Sequence, residues 1–375
     1  MNASRREPPH KQRWIELSED QQKALIEEAD TVVKEIVAAN DAFIADGGVL
    51  RDPQWRLIRT KEGMHVYRQR RKAIKQRGKE SSAPVIESPS WSSSQTLSRY
   101  RPEISSQEEP CLVSLMALHG TTDGTLDDCM FGCFIPNNEE WKLRSSYIND
   151  GIDDSRFAKE HPAVLTGIVQ QRDFLILESL GFMRDCNGEK VGYFLMHSVA
   201  LREIPELSHL NIVRGLMSFC YVFRQGKPGK VDIYTRGFFD SRGEMPGRLS
   251  VAIAADAALC CVNLIQYAYI KKLTWLMKHS GHGRSGGHAT QSTHCEACEK
   301  SFSKFSLTHS GSGTACSICR RVVCSKCSVL KKMVMDVSDT GSVQHCSFQF
   351  CLRCLLKTKK QCGWEIALSG SDTAS

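Results

Sequence analysis

The chain has 375 residues, of which 41% are hydrophobic and 24% charged. This balance excludes a disordered or fibrous protein and leaves room for two or three globular domains. The formal net charge is +7, and the excess lies at one end. Residues 271–375 contain 15 Lys+Arg and 6 Asp+Glu, whereas the rest of the chain contains 34 and 36.

Neither the N-terminal segment nor the most apolar stretch of the sequence indicates a membrane protein. The start, MNASRREPPHKQRW, has no apolar run, so we expect no signal peptide. The most apolar stretch, residues 251–270, contains Asp256, Asn263 and Gln266. It is interpreted as a helix with one buried face, and no transmembrane segment is expected.

The first predicted elements are a helix and a hairpin. Ser18 and Gln21 have the spacing of a capping box, and an apolar stripe follows at helical period, so a helix is predicted over residues 18–44. Two short alternating runs, from Trp55 to Tyr67, flank a Lys-Glu-Gly turn and predict a β-hairpin. Residues 72–109 are poor in apolar side chains, and a disordered insertion is predicted there.

From Cys111 to His279 the pattern changes to apolar strands joined by Gly, Asn or Pro turns. A long last helix is expected over residues 250–278, and shorter helices over 123–133 and 153–160. Strands are predicted at 112–120, 141–149, 163–169, 172–183, 191–201, 215–225 and 230–240. Antiparallel strands closed against one long helix make an α+β architecture.

This order resembles the START domain, a helix-grip fold in which a curved antiparallel sheet wraps a long C-terminal helix around an apolar cavity. The matching stretches include RDFLILES at 172, GYFLMHSVALREIP at 192 and VDIYTRGFFDSRGEMPGRL at 231. The resemblance covers residues 20–279 and implies a pocket for one lipid or sterol, whose lining residues the sequence does not identify. Arg172, Arg214 or Arg236, if directed inward, would indicate a head-group partner or a buried ion pair.

No catalytic motif accompanies this domain. The sequence has no Gly-x-Ser-x-Gly elbow, P-loop, His-Glu-x-x-His motif or Gly-x-Gly-x-x-Gly motif after a strand. The histidines at 119, 161, 197 and 209 are scattered and are interpreted as structural or exposed. The protein is therefore expected not to be an enzyme.

Four Cys-x-x-Cys pairs lie in the last quarter of the chain: Cys295/Cys298, Cys316/Cys319, Cys324/Cys327 and Cys351/Cys354. Disulfides or isolated buried thiols would be alternatives, but one repeated spacing within about sixty residues favours metal. Two pairs complete a tetrahedral Zn²⁺ site, so two Zn²⁺ ions are predicted.

The gaps between the pairs predict how they combine. Only four residues separate the second pair from the third, which places those two pairs in different sites. The favoured arrangement is a cross-brace with pairs one and three on one ion and pairs two and four on the other. A tandem arrangement is the alternative.

The cysteine pattern resembles the FYVE zinc finger over residues 290–360. CEACEKSFS at 295, CSICRRVVCSKCS ending at Ser328 and CLRC at 351 keep its pair order and its four-residue middle gap. A RING finger would have a His or a shorter gap between the middle ligands. Loss of metal is expected to unfold this finger and to leave the first domain intact.

The residues with which the FYVE family reads phosphatidylinositol 3-phosphate are absent. Its Trp and Asp ahead of the first pair are replaced by Gly286 and Ala289, and its Arg-Val before the seventh ligand by Gln349 and Phe350. Its basic loop and the arginine that follows are replaced by Ser312, Gly313, Thr314, Ala315 and Ser317. Recognition of that lipid is therefore not expected, and the contact with an anionic membrane or a protein partner is assigned to Arg320, Arg321 and Lys326.

The predicted organisation has five parts. They are a flexible N-terminus (1–17), a START-like domain (18–279), a flexible linker (280–293), a FYVE-like finger (294–360) and a flexible tail (361–375). The expected function is that of a cytoplasmic, non-enzymatic lipid-binding or lipid-sensing adaptor, peripheral on endosomal membranes. A protein-interaction scaffold, a nucleic-acid-binding zinc-finger protein and a RING-like ubiquitin ligase are the alternatives.

Overall fold

The structure is a computed structural model that describes residues 16–51, 54–70, 114–148, 170–280, 292–302, 313–338 and 343–371. The predicted insertion at 72–109, the helix at 153–160, the strand at 163–169 and most of the linker lie outside the described residues.

The first domain is a seven-stranded antiparallel sheet between two helical layers. The sheet order is β1-β2-β3-β9-β8-β6-β5, and a separate parallel pair joins β4 to β7. The strands are β1 Trp55–Lys61, β2 Met64–Gln69, β3 Ser114–Asp123, β4 Arg172–Asp173, β5 Ile176–Arg184, β6 Lys190–Ser198, β7 Val213–Arg214, β8 Leu216–Gln225 and β9 Lys230–Asp240. The helices are α1 Glu19–Ala45, α2 Leu126–Cys133, α3 Asn138–Ile148, α4 Gly247–Ala258 and α5 Leu264–His279.

Helix α1 and the hairpin form where the sequence predicts them. The Ser18 hydroxyl accepts from the Gln21 backbone N–H, and the Gln21 side chain accepts from the Ser18 N–H, which completes the capping box. Strands β1 and β2 pair in antiparallel fashion across Glu62 and Gly63. Both residues have positive φ, +49° and +80°, as the tight two-residue hairpin turn requires.

Both faces of the sheet are covered. On β8, Met217, Phe219, Tyr221 and Phe223 face the last helix, whereas Cys220 and Val222 face α1. Burial on both faces explains why this strand is a continuous apolar run and not an alternating one.

His197 fastens α1 to the sheet. Its Nδ1 atom lies 2.8 Å from Ser218 Oγ, and its Nε2 atom lies 3.3 Å from Glu28 Oε1. The three residue types could form a nucleophilic relay, but His197 and Ser218 are buried. The arrangement therefore holds the helix in place and offers no surface to a substrate.

The long last helix, Gly247–His279, is interrupted in the middle. A 3-10 segment, Leu259–Asn263, separates α4 from α5. The Tyr221 hydroxyl donates towards the carbonyl oxygens of Ala257 and Ala258, at 3.1 and 3.2 Å, and so satisfies acceptors that the change of helix type exposes.

This helix is also, among the described residues, the one long and apolar enough to cross a bilayer. In its most apolar window 44% of the residues are buried inside the structure. Its buried side chains pack on the sheet and on α2.

The predicted strand at 141–149 is wrong, because residues 141–148 lie in helix α3. The signal that predicts the helix is the Asn137 side chain, which accepts from the Glu140 backbone N–H at 2.9 Å. Arg144, Ser145 and Ile148 then recur at helical spacing and are all buried.

The cysteine-rich region predicted to bind zinc has short strands followed by two helices. The strands are β10 Thr314–Ala315, β11 Val322–Val323, β12 Ser328–Val337 and β13 Val343–Cys351, and the helices are α6 Leu352–Lys360 and α7 Gly363–Ser371. We name residues 292–371 the zinc module.

Helix α7 lies where a flexible tail was expected. Trp364 packs against Phe131, Phe134 and Phe182 of the first domain. Ile366 joins Phe131 and Ala268 in a small apolar cluster. These long-range contacts order the segment, and its own sequence does not reveal them.

A buried ion pair joins α3 to β5 beside the apolar core. Arg144 Nη1 donates to Glu178 Oε2 and to the Cys133 carbonyl oxygen, both at 3.2 Å, and the guanidinium lies over the Phe194 ring. The Arg144 side chain is 2% exposed and that of Glu178 is 32% exposed. Removal of the arginine leaves the partly buried Glu178 carboxylate and the Cys133 carbonyl oxygen without this donor.

We therefore expect Arg144→Met to lower the free energy of unfolding by about 3 kcal/mol, as measured by urea denaturation. The matched control is Arg59→Met, which breaks the surface pair with Asp256, whose side chains are 40% and 60% exposed. The control should cost less than about 1 kcal/mol. Equal losses for the two variants would contradict the structural role given to Arg144.

Candidate metal centres and apolar interior

The eight paired cysteines form two tetrads. Cys295, Cys298, Cys324 and Cys327 make the first, and Cys316, Cys319, Cys351 and Cys354 the second. Within each tetrad all sulfurs lie within 4.8 Å of one another. The structure thus brings pair one to pair three and pair two to pair four, as in a cross-brace.

The first two pairs lie on turns with the same backbone geometry. The N–H of Cys295 donates to the Lys300 carbonyl oxygen and that of Cys316 to the Arg321 carbonyl oxygen, at 2.8 and 2.9 Å. The residue after each second cysteine, Glu299 or Arg320, has positive φ. This left-handed residue closes the turn and directs both sulfurs to one side.

The last two pairs begin short helices. Cys324 precedes the 3-10 turn Ser325–Cys327, and Cys351 is the N-cap of α6, where its sulfur accepts from the Cys354 N–H. Each tetrad therefore combines one turn with one helix start. The positive end of a helix dipole favours negative charge on such sulfurs.

Backbone N–H groups stabilise thiolates in both tetrads. Burial raises the pKa of Cys295, but the N–H groups of Cys324, Ala297 and Cys298 outweigh burial and lower that pKa to about 6. Cys316 behaves in the same way, and its pKa is lowered mainly by the N–H groups of Cys319 and Cys351 against the effect of burial.

Cys319, Cys327 and Cys354 have raised pKa values and resist ionisation in the absence of a cation. The pKa of Cys327 is raised to about 12, first by its hydrogen bond with Cys298 and then by its bond with Cys324. Four sulfurs so close together can all be thiolates only when a cation compensates their charge.

The tetrads have the size that zinc requires. Zn–S bonds of about 2.3 Å in a tetrahedron give sulfur–sulfur separations of roughly 3.8 Å. Cys298 and Cys324 are 3.8 Å apart at sulfur, and so are Cys319 and Cys351. Each tetrad could hold one metal ion, and four thiolates with no oxygen ligand favour zinc over a hard cation such as Ca²⁺ or Mg²⁺.

The zinc module packs directly on the last helix. Ile270, Leu273 and Leu276 of α5 share one apolar cluster with Met333, Phe350 and several of the tetrad cysteines. Hydrogen bonds also join the module to the first domain. Val334 N–H donates to the Tyr147 hydroxyl of α3 at 2.7 Å, and Tyr269 of α5 donates to the Leu355 carbonyl oxygen at 3.2 Å. The tethered finger expected from the sequence is thus a docked module in the structure.

The space between the sheet and the last helix is an apolar interior that is rich in methionine and cysteine side chains. Five methionines lie in its core cluster, together with Cys129, Cys133, Cys260 and Cys261. The five are Met64, Met116, Met130, Met196 and Met217. Burial raises the pKa values of Cys133 and Cys261 well above the usual thiol range, so these thiols stay neutral.

The three arginines considered from the sequence have different partners. Arg172 donates to the carbonyl oxygens of Ser241, Gln170 and Arg242 at 2.6, 2.6 and 2.9 Å, and Arg214 pairs with Asp173 at 2.7 Å. Arg236 lies over the rings of Trp55 and Tyr234. Each partner is a group of the protein itself.

The basic residues predicted to contact a membrane lie at separate points of the zinc module. Arg320 and Arg321 follow the second pair of cysteines, and Lys326 lies inside the third pair. All three side chains are exposed. Within the described residues none of them forms an ion pair.

Sequence reasoning did not identify two buried charged groups at the last helix. Lys272 pairs with Asp128 of α2, and Lys271 pairs with Glu140 at 3.1 Å. Burial lowers the pKa of Lys271, which Glu140 partly restores. Because the partners are more than a hundred residues apart, no local pattern predicts them.

A close crossing of α2 and α5 completes this contact. A Cβ atom at Gly132 would lie 2.2 Å from the Leu264 carbonyl oxygen, so only glycine allows the two backbones to approach.

No protein-family model matches the chain, and no curated protein matches it. Similar solved structures are those of human StAR-related lipid transfer protein 5, human STARD10 and the lipid transfer and protein localization domain of human StarD13. Their identities are 16%, 13% and 11%, and their TM-scores are 0.36, 0.37 and 0.34.

These similarities cover most of each relative and about two thirds of this chain. The covered shares are 66%, 64% and 62% of this chain, and 96%, 82% and 95% of the respective relatives. With identities and TM-scores this low, the START-like assignment rests on the antiparallel sheet and the long C-terminal helix described above. The architecture is α+β, as predicted, with two cysteine clusters that are compatible with small zinc sites.

We expect full-length protein to contain about two zinc ions per chain, measured by elemental analysis, because each closed tetrad takes one ion. Cys319→Ser should lower that content, since it removes one of four ligands. The matched controls are Cys346→Ser and Cys362→Ser, which alter half-buried thiols outside the tetrads. Fewer than two zinc ions in the wild type, or equal losses in the controls, would contradict the assignment.

Proposed function

We propose that the protein is a non-enzymatic lipid-binding adaptor whose apolar interior takes one lipid or sterol. The observation that carries this proposal is the arrangement of sheet and last helix around an apolar interior. The zinc module fixes one half of that helix.

The interior is filled by side chains that can rearrange. Met64, Val66, Leu118 and Phe219 have no exposed surface, so a ligand must displace side chains to enter. Methionine suits this role because it is unbranched and adapts its shape at low cost. The five core methionines therefore support an interior that opens around a lipid.

The 3-10 segment in the last helix supports an opening of the interior at that position. Helix α5 is held by α2 and by the zinc module. Helix α4, in contrast, has half-buried residues along most of its length. A 3-10 segment inside a helix often marks a hinge, and in this proposal α4 moves about Leu259–Asn263 while α5 stays in place.

The zinc module, in this proposal, is a FYVE-type scaffold without its phosphate-reading side chains. Phe350, which replaces the family's valine, is completely buried in the core of the module. Gln349, which replaces its arginine, donates to the Ser328 hydroxyl at 2.6 Å. Both substitutions support a structural role for the module. A cytoplasmic location with peripheral contact at endosomal membranes is part of the proposal.

A protein-interaction scaffold is the second candidate. It is favoured by the same close packing of the interior, because a permanently filled core would bind no lipid. The two functions differ in one measurable property, which is lipid retention by the folded protein.

The test is native mass spectrometry of zinc-loaded, full-length protein after incubation with mixed-lipid vesicles and removal of the vesicles. We expect a one-to-one lipid complex. Ala258→Met adds side-chain volume to an interior that is already packed and should lower the lipid-bound fraction at least about fivefold, because overpacking costs about 1–3 kcal/mol.

Ala29→Met is the matched control, since Ala29 is also buried but belongs to α1, which packs on the opposite face of the sheet. It should retain lipid as the wild type does. Absence of any lipid complex in the wild type would contradict lipid binding and leave the scaffold function.

A further inference from the structure

Helix α6 presents an unusual outward face. Its inward residues are Cys354, Leu355 and Thr358, which are buried or half-buried. Its other side chains are all exposed, namely Leu352, Arg353, Leu356, Lys357, Lys359 and Lys360. We name these six residues the α6 outer face.

The order of side chains around this face is amphipathic. At about 100° per residue, Leu352 and Leu356 lie next to each other in the middle of the face. Lys359 borders them on one side, and Lys360, Arg353 and Lys357 on the other. The two leucines are 45% and 61% exposed. A pair of solvent-exposed leucines therefore lies between basic residues on both sides.

The basic residues of this face have no acidic neighbours on the helix. The segment LRCLLKTKK contains no Asp or Glu. Within the described part of the chain, Arg353, Lys357 and Lys360 form no ion pair, whereas Lys359 has Asp123 of the first domain as a charged neighbour. A single exposed leucine is ordinary, but a stacked pair inside a basic frame has the pattern of a helix that lies on an anionic lipid surface.

The zinc module holds this face rigidly. Cys351 and Cys354, at the start of α6, belong to the second tetrad. On the inner side Leu355 contacts the cluster on α5, and its carbonyl oxygen accepts from Tyr269. Since the helix is formed and anchored before contact, binding costs little conformational entropy.

We propose that the α6 outer face is the surface by which this protein binds anionic membranes. Leu352 and Leu356 enter the boundary between headgroups and acyl chains, and the four basic side chains contact anionic headgroups. This inference rests on the peripheral membrane contact in the proposed function and moves that contact away from Arg320, Arg321 and Lys326. A nucleic acid would use the charges without the leucines, so the leucine pair favours a lipid surface.

The test is co-sedimentation of zinc-loaded, full-length protein with two kinds of vesicle. One kind contains equal parts of phosphatidylcholine and phosphatidylserine, and the other contains phosphatidylcholine alone. We expect binding to the anionic vesicles, weaker binding to the neutral ones, and a decrease with added salt. The double variant L352S/L356S should lower the partition coefficient at least about tenfold.

The matched control is L210S/L368S, which removes two leucines of similar exposure, 57% and 68%, outside this face. It should bind as the wild type does, and both double variants should keep wild-type zinc content. R353E/K357E/K360E should abolish the preference for anionic vesicles.

Three results would overturn the proposal. They are no vesicle binding by the wild type, unchanged binding by L352S/L356S, or loss of binding in R320E/R321E/K326E alone. The lipid complex seen by native mass spectrometry should be unchanged in L352S/L356S, because the interior lies elsewhere. If L352S/L356S loses vesicle binding but keeps the lipid complex, the α6 outer face is the membrane-binding surface. If the wild type forms no lipid complex, the proposed lipid-binding function is wrong, whatever the vesicle result.

Discussion

One apolar contact joins the last helix to the zinc module, in which Ile270, Leu273 and Leu276 pack against the core of the module. That core is small, and domains of this size often depend on metal or on a neighbour for stability. The cysteine tetrads fix the local backbone, and the helix supplies the apolar surface that the module lacks. The helix is thereby covered on the side that does not face the sheet.

This shared helix connects the two functions considered for the chain. Helix α5, which follows the 3-10 segment, packs against both the interior and the zinc module, whereas α4 packs against the interior. A ligand that displaces α4 would therefore leave the zinc module in place. The sequence alone predicts that the first domain stays intact when metal is lost. Because metal loss would remove the contact of the zinc module with α5, we expect part of the first domain to be destabilised as well.

The sequence predicts well those features whose causes are local. The Cys-x-x-Cys pairs, the Ser18 capping box and the Glu62–Gly63 turn each depend on residues a few positions apart, and each forms where predicted. The strand predicted at 141–149 is wrong, because the Asn137 side chain caps the start of a helix there.

The remaining features depend on distant partners. The Arg144–Glu178 pair, the Lys272–Asp128 pair and the contact of Trp364 with Phe131 join segments that only the tertiary fold brings together. The docking of the zinc module on α5 is of the same kind. No periodicity or motif in one segment contains such information, because the free energy comes from burial against the other segment.

Hydrogen exchange of the full-length protein, with and without zinc, tests the shared core most directly. The account predicts that removal of zinc lowers the protection of amides in α5, Leu264–His279, much more than that of amides in β8, Leu216–Gln225. Unchanged protection of α5 in the zinc-free protein would contradict it, since the helix would then not depend on the module that packs against it.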